Sequence, residues 1–336
     1  MAKVGIKDVA ARAGVSTATV SHALRNPDRV AEATRKKVLE AVEAVGYTPN
    51  KLGQSLRTSR SGNIVVIIPD LSDTYNAGII TALEKVAHRH GYSVLLGDSQ
   101  GSERRERDLA GLTDSHQADG IILLSHRLPF DISEGGRKIE DLPPLVNGSE
   151  PVGVDGIPFV GIDDSQAGRD ATQHLIDYGH RRIAVITGDM NSPSSRLRLQ
   201  GYRDAMADAG LEVDERCIVH SEYSLAGGEG SAESLLMLRD RPTAIFCGSD
   251  EIAIGCMYKM REMGFTVPDD ISVIGVDDIR FGKYFEPPLT TVAQPASELG
   301  ETCAKLLMHL LKDKELPQNE YVLPHKLVVR GSTRRL

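Results

Sequence analysis

The fold of the N-terminal part is decided by the stretch VSTATVSHAL, residues 15–24. Ser16 is a favourable N-cap, and Val20 and Leu24, four positions apart, predict the buried face of a short helix. The outer face is small or polar and consists of Thr17, Ala18, Ser21 and His22. Because such side chains let a helix approach base edges closely, the stretch predicts a recognition helix for the major groove of DNA.

The flanking residues extend this helix into a three-helix unit. Residues 6–13 are amphipathic and are followed by Gly14, so a glycine turn joins two short helices, as in a helix-turn-helix. A third helix is predicted over residues 33–45, ending at Gly46. Its predicted core face is Val38, Leu39, Val42 and Val45. For the first two helices alone, a hairpin inside a larger helical domain remains the alternative.

Charge is distributed unevenly along the chain. The 336 residues carry a formal net charge of −8, but residues 1–61 hold 11 Lys/Arg against 5 Asp/Glu, a net charge of +6. The rest holds 28 against 42, a net charge of −14. A basic segment on an acidic body is typical of a module that binds DNA phosphates. The length suits two or three domains.

Several classes of protein are not favoured by the sequence. The N-terminus has no segment like a signal peptide, and no apolar run approaches the ~20 residues of a membrane span, so we expect a cytoplasmic protein. The cysteines are far apart and form no CxxC pair, which predicts reduced core thiols and no metal site or cofactor. They are Cys217, Cys247, Cys256 and Cys303.

Dense short motifs in the first fifty residues resemble the lactose-repressor (LacI/GalR) family of bacterial regulators. They are Lys7-Asp8-Val9-Ala10, Gly14-Val15-Ser16, Thr19-Val20-Ser21, Asn26-Pro27, Thr34-Arg35, Val45-Gly46-Tyr47 and Pro49-Asn50. The resemblance implies a helix-turn-helix headpiece over residues 1–49, a hinge helix or linker over 50–62, and an effector-binding and dimerisation domain over 63–336. It further implies a homodimer that binds a pseudo-palindromic DNA operator.

By this resemblance the DNA contacts fall on Lys7, Ser16, Thr17, Ala18, Thr19, Ser21, His22, Asn26, Asn50, Lys51, Leu56 and Arg57. His22 replaces the usual arginine, and it can make only one bond to a guanine. Ala31 stands where a serine cap is usual. Leu56 matches the leucine that wedges into the minor groove, but Gly53 replaces an alanine and weakens the hinge helix. A plain flexible linker is the alternative for this segment.

From Asn63 onward, apolar strands alternate with helices, which predicts parallel sheets. The pattern restarts near Ser165, so we expect an α/β fold of two doubly wound lobes resembling periplasmic sugar-binding proteins. By resemblance the chain crosses between lobes near Ile162, near Thr291 and after Leu316. Lobe 1 then spans about 63–162 and 292–316, and lobe 2 about 163–291 and 317–336.

Side chains near the predicted strand ends are the candidates for effector binding, because ligands sit between such lobes. They are Asp73, Tyr75, Asn76, Ser125, Ser149, Arg198, Tyr223, Ser249, Asp250 and Asp277. Arginine and aspartate suit vicinal hydroxyls, and in the family the residues matching Arg198 and Asp277 grip the effector. An ion pair without a ligand is the alternative.

The nature of the effector is indicated only by resemblance. Several stretches are similar to the cytidine-repressor branch of the family, which favours a nucleoside over a sugar, although Asn76 stands where purine-binding relatives carry a second aromatic residue. The sequence lacks a Walker loop, a GxSxG elbow and an HExxH motif, so we predict that the protein is not an enzyme. The competing hypothesis is a sugar- or nucleoside-binding protein, or an enzyme of the same fold, with a vestigial headpiece.

Overall fold

The computed structural model describes residues 4–25, 27–47 and 60–336, and the chain separates into two units, Met1–Ser61 and Gly62–Leu336. The smaller unit contains α1 (Ile6–Ala13), α2 (Thr17–Arg25) and α3 (Glu32–Val45). Gly14 and Gly46, each in the left-handed conformation, end α1 and α3. Ala31 precedes α3 without a side-chain cap, as its methyl group dictates.

The core of the smaller unit is built from two buried residues on each helix. They are Val9, Ala10, Val20, Ala23, Val38 and Ala41. The prediction that Leu39 joins this core was wrong, since Leu39 is 49% exposed. Val38, Ala41, Val42 and Val45 follow the i, i+3, i+4, i+7 spacing of one face, and Leu39 is turned away from that face.

The larger unit contains two six-stranded sheets within its described residues. In chain order the strands are β1 (Asn63–Ile68), β2 (Ser93–Asp98), β3 (Ile121–Leu123), β4 (Leu145–Gly148), β5 (Phe159–Gly161), β6 (Ile183–Thr187), β7 (Ile218–His220), β8 (Ala244–Cys247), β9 (Ser272–Asp277), β10 (Thr290–Ala293), β11 (Glu320–Val322) and β12 (Lys326–Val328). The first sheet has the order β11-β5-β4-β3-β1-β2 and the second β12-β10-β9-β8-β6-β7. The two orders follow one plan, so the architecture is duplicated.

Helices cover both sheets. They are α4 (Thr74–Arg89), α5 (Glu103–Asp114), α6 (Asp164–Asp177), α7 (Pro193–Asp208), α8 (Leu225–Leu236), α9 (Asp250–Glu262) and α10 (Ala296–Leu310). The central strands are buried, β9 throughout and β1 from Ile64 onward, as expected for parallel strands covered on both faces. All four cysteines are buried and free, as predicted.

The chain crosses from one lobe to the other three times; the first crossing lies near Ile162, and it is the last crossing that departs from the sequence prediction. After β5 it enters lobe 2 through α6, and it returns to lobe 1 after Ala293, because β10 still belongs to the second sheet. The final crossing does not follow Leu316. Tyr321 pairs with Val160 in the first sheet, since β11 extends the free edge of β5, and only β12 joins the second sheet.

Candidate functional site

The outer face of α2 is exposed to solvent. Ser16 Oγ accepts a hydrogen bond of 3.0 Å from the backbone N–H of Thr19 and so caps the helix. Thr17, Ala18 and His22 are exposed, while Val20 and Ala23 are buried beneath them. The helix therefore exposes small and polar groups on one face, while its apolar face packs in the core of the three-helix unit.

The other DNA-contact candidates divide into two groups. Ser16 and Lys7 are exposed, and Thr19 and Ser21 are half-buried at the edge of the same face. The remaining candidates, Asn26, Asn50, Lys51, Leu56 and Arg57, lie outside the described residues.

Between the two lobes of the larger unit lies a cavity of about 380 Å³. It is lined at the carboxyl ends of strands from both sheets, where parallel α/β folds bind ligands. The volume falls within the roughly 300–1,000 Å³ of small-molecule pockets. The effector candidates that line it are Asp73, Tyr75, Asn76, Ser125, Ser149, Arg198, Tyr223, Ser249 and Asp277.

The wall from lobe 1 is built around the start of α4. Asp73 caps this helix and accepts hydrogen bonds of 2.9 Å from the backbone N–H of Tyr75 and from Nδ2 of Asn76. Burial raises the pKa of Asp73 from 3.8 to about 6. Burial likewise raises the pKa of the Tyr75 phenol above its ordinary value, so the ring faces the cavity as a neutral donor.

The wall from lobe 2 contains a buried ion pair. Both Nε and Nη2 of Arg198 lie 2.7 Å from Oδ1 of Asp164, and Nη1 donates to the carbonyl of Gly248. Burial lowers the pKa of Arg198, but the nearby groups Asp164, Tyr223 and Asp277 together outweigh this effect, so the pKa lies above its ordinary value. The guanidinium is therefore charged and fixed in direction.

Two glycines allow this pair to form. A Cβ at Gly168 on α6 would collide with the backbone of Arg198, and one at Gly201 on α7 would collide with the backbone of Ser165. The two helices therefore approach each other closely, which brings Asp164 within reach of Arg198.

Asp277 ends β9 in an unusual backbone conformation, with φ at +122°. A non-glycine residue in that region is strained, and such strain is concentrated at functional sites. Burial raises the pKa of Asp277 well above its usual range, and the charge of Arg198 opposes this. Gln294 Nε2 donates to Asp277 Oδ1 over 2.7 Å, while Gln294 Oε1 accepts from the Tyr75 hydroxyl over 3.0 Å.

Two further hydrogen-bonded contacts join the lobes across the cleft. Glu251 Oε1, on lobe 2, accepts from Thr74 Oγ1 at 3.0 Å and from the Thr74 backbone N–H at 3.2 Å. Glu150 Oε1, on lobe 1, accepts from Ser192 Oγ at 2.7 Å. Each of these hydrogen bonds joins one lobe to the other, so each depends on the separation of the lobes.

Aromatic and hydroxyl groups complete the lining. Tyr223 and Ser195 share a hydrogen bond of 2.7 Å between their hydroxyls, and burial raises the pKa of Tyr223 to about 12. Ser249 caps α9 by accepting from the backbone N–H of Ile252. Ser125 donates its hydroxyl proton to Glu106 at 2.8 Å.

The described residues contain no cluster of histidine, cysteine and acidic side chains able to hold a metal ion. Nor does any described helix combine the length and the apolar character needed to cross a membrane. His180 is buried and bonds Thr243 and the Arg334 carbonyl, which fits a structural role.

Comparison with known proteins identifies the family. The model of bacterial regulatory proteins, lacI family, matches residues 5–50, and that of the periplasmic binding protein-like domain matches residues 172–333. The HTH-type transcriptional repressor CytR of Escherichia coli (strain K12) is 39% identical over 331 residues, which cover 98% of this chain and 96% of that protein. This chain belongs to the LacI family.

Other LacI-family relatives agree along the whole chain. The HTH-type transcriptional repressor PurR of Vibrio campbellii (strain ATCC BAA-1116) is 34% identical over 334 residues, covering 98% of this chain and 99% of that one. The lac repressor dimer bound to operator and the anti-inducer ONPF matches with a TM-score of 0.85 at 27% identity, covering 98% and 99%. The predicted fold is thus confirmed, and this LacI-family chain is a DNA-binding regulator, not an enzyme.

One effector candidate of this LacI-family chain does not line the cleft. Asp250 is fully buried and accepts hydrogen bonds from the backbone N–H of Ile279 at 2.9 Å and from Thr291 Oγ1 at 2.6 Å. It follows a strand, as predicted, but its carboxyl group is directed into lobe 2. Glu251, the next residue on the helix, lines the cleft instead.

Sequence reasoning also missed residues that do line the cleft. Gln294 follows β10 at the strand's carboxyl end, so the same rule would have found it, but the short segment Thr290–Ala293 was not recognised as a strand. Glu150 and Glu251 carry no sequence signal of their own, because their role depends on contacts with the opposite lobe.

Proposed function

We propose that this LacI-family regulator represses transcription as a homodimer on a pseudo-palindromic operator and responds to a hydroxyl-bearing effector, a nucleoside before a sugar. The observation that carries the proposal is the cleft, where a fixed guanidinium, that of Arg198, and a buried carboxyl group, that of Asp277, face a cavity of about 380 Å³. The proposal implies a cytoplasmic protein, since its operator is genomic DNA.

The DNA-binding half of the proposal is supported by the exposed face of α2. Thr17, Ala18 and His22 project from a helix packed on its own core, so they are free to meet base edges in the major groove. In a homodimer the second copy would read the symmetric half-site one helical turn away. Lys7 and the basic first 61 residues would contact phosphates.

The effector half is supported by the chemistry of the lining. Arg198 can donate to hydroxyl oxygens, and the acidic groups Asp73 and Asp277 can accept from hydroxyl protons. Tyr75 and Tyr223 place two aromatic rings on the same cavity, which suits a ligand with a flat base attached to a sugar. We therefore place a nucleoside first.

A ligand screen followed by an operator assay tests the proposal. Nucleosides, purine and pyrimidine bases and simple sugars are first compared by their effect on the thermal unfolding of the full chain. The ligand that stabilises it is then added to an operator selected from random duplexes, and its effect on affinity is measured at several salt concentrations. We expect the selected DNA sites to be symmetric, the affinity for DNA to fall steeply with salt, and the added ligand to change that affinity. Affinity unchanged by salt, or a ligand without effect on DNA binding, would contradict it.

A further inference from the structure

The positive charges that line the cleft are already matched by carboxylates. Arg198 is paired with Asp164 at 2.7 Å, and Asp164 is buried. Arg127, at the lobe 1 side, is paired with Glu106 at 3.0 Å, and Glu106 is only 1% exposed. Neither guanidinium therefore brings a net positive charge to a ligand, although each keeps hydrogen-bonding geometry.

Arg127 illustrates this most clearly, because it is the more accessible of the two. Its Nε and Nη2 both contact Glu106, and Nη2 also donates to the carbonyl of Gly101 at 2.6 Å. Asp189 of lobe 2 lies near enough to raise the pKa of Arg127 further, after the larger effect of Glu106. The guanidinium is thus surrounded by acceptors before any ligand arrives.

Most of the acidic groups of the cleft have no cationic partner among the described residues. Those that line it are Asp70, Asp73, Glu150, Asp189, Glu222, Glu251 and Asp277. Among the described residues, Glu150 has an ionisable partner in His126, at 3.0 Å, and Glu251 accepts only from the neutral Thr74. Asp70, Asp189 and Glu222 are exposed. Even without Asp277, whose pKa burial raises, the other acidic groups leave the cavity lined by an excess of negative charge.

We propose that the cleft accepts uncharged or cationic ligands with hydroxyl groups and excludes their phosphorylated forms. This rests on the proposed effector site and adds a rule for its ligand class. A phosphate monoester carries about −1.5 to −2 charges at pH 7 and would lose its water without gaining an unpaired cation. It would also be repelled by the carboxylates around it. The regulator would then sense free nucleosides or sugars, not nucleotides or sugar phosphates.

Calorimetric titration of the full chain tests this rule with matched pairs of ligands. Adenosine, cytidine, guanosine, uridine and ribose are each compared with the corresponding 5′-phosphate. The phosphate should bind at least about tenfold more weakly, since one unit charge in a partly solvated site is worth that much or more. The 5′-amino-5′-deoxynucleoside, which is cationic, should bind no more weakly than its parent. The 5′-O-acetyl nucleoside, which is neutral and bulky, separates charge from size.

Two exposed carboxylates supply the decisive variant. In Asp189→Asn combined with Glu222→Gln the shape of the cleft is kept, so the discrimination against the phosphate should shrink severalfold. Glu212→Gln removes an exposed charge outside the cleft and should leave the discrimination unchanged. Added salt should also reduce it, because exposed charges are screened.

The outcomes separate this rule from the proposed function. A 5′-phosphate that binds as tightly as its parent overturns the rule. The rule is also overturned if the 5′-O-acetyl compound is rejected too and the double variant does not relieve the rejection. Both results leave the effector site in place. A chain that binds none of the parent ligands removes the proposed effector and this rule together.

Discussion

The side-chain amide of Gln294 donates a hydrogen bond of 2.7 Å to Oδ1 of Asp277. At its other end the same amide accepts from the hydroxyl of Tyr75 at 3.0 Å. Tyr75 belongs to lobe 1 and Asp277 to lobe 2, while Gln294 lies in the crossing between them, directly after β10. Gln294 therefore links Tyr75 of lobe 1 to the carboxyl group of Asp277, which we propose as a ligand contact. The position of that carboxyl group thus depends on the spacing of the lobes.

Replacing Gln294 tests this connection. Gln294→Ala leaves the Tyr75 hydroxyl and Asp277 Oδ1 without their partner, and each orphaned buried group costs about 1–3 kcal/mol. We expect a lower free energy of unfolding in urea and weaker ligand binding by calorimetry. Gln200→Ala, on an exposed glutamine of α7, is the control and should change neither. Unchanged ligand affinity in Gln294→Ala would place the amide outside the binding mechanism.

The buried ion pair predicts a non-additive result. Arg198→Leu leaves the carboxylate of Asp164 buried without its cation and should destabilise the chain by about 3–5 kcal/mol. The double variant Arg198→Leu with Asp164→Leu removes both charges and should recover a large part of that loss. Urea denaturation of the parent, both single variants and the double variant measures the coupling. If the loss of stability in the double variant equals the sum of the losses in the two single variants, the pair contributes no interaction energy.

The same variants separate structure from ligand binding. The two single variants and the double variant should all lose the ligand response. The double variant should still bind operator, since its lobes remain folded. A double variant that responds normally to the ligand would place the effector site elsewhere.

The pKa of Asp73 predicts a dependence of stability on pH. Burial raises this pKa from 3.8 to about 6, so between these values the folded chain binds a proton that the unfolded chain has released. The contribution of Asp73 to the free energy of unfolding therefore falls as pH rises from about 4 to about 6, and is constant above that range. In Asp73→Asn this part of the slope should disappear. Asp155→Asn, on an exposed residue of lobe 1 that does not line the cleft, should keep the parent slope.

His22 predicts the base preference of the proposed operator site. The imidazole is exposed on the outer face of α2, where an arginine could form two hydrogen bonds with guanine. His22→Arg should shift the selected sequences toward guanine at one symmetric position by about 1–3 kcal/mol. His88→Arg adds the same charge on an exposed site of α4 and should leave the selected sequence unchanged. An identical selection profile for His22→Arg would show that this position does not face the bases.

The sequence predicted those features that depend on neighbouring residues. Ser16 caps α2 as expected from its type and position, and the apolar run Ile64–Ile68 forms a central strand because both its faces are buried. The same reasoning failed for Leu39, where an apolar residue was assigned to the core although its helical angle turns it outward. α8 was missed because its sequence, LAGGEGSAESLL, combines several glycines with weak apolar periodicity.

Features that depend on distant residues were less accessible. Nine of the ten effector candidates, chosen from strand-end positions and from the family resemblance, line the cleft. Nothing near Asp250 in the sequence, however, indicates that Thr291 and Ile279 bind its carboxyl group. Nor does the segment around Tyr321 reveal that β5 has a free edge for it. These outcomes depend on which surfaces are left uncovered once the sheets have formed.

The three crossings between the lobes also determine the order in which the protein can be completed during synthesis. Lobe 1 lacks α10 and its edge strand β11 until Val322 has left the ribosome, and lobe 2 lacks β12 until Val328 has done so. The three-helix unit, by contrast, is complete once Tyr47 has emerged, because its core draws on no later residue among those described. A nascent chain therefore completes its helix-turn-helix unit well before it completes the two lobes that we propose bind the effector.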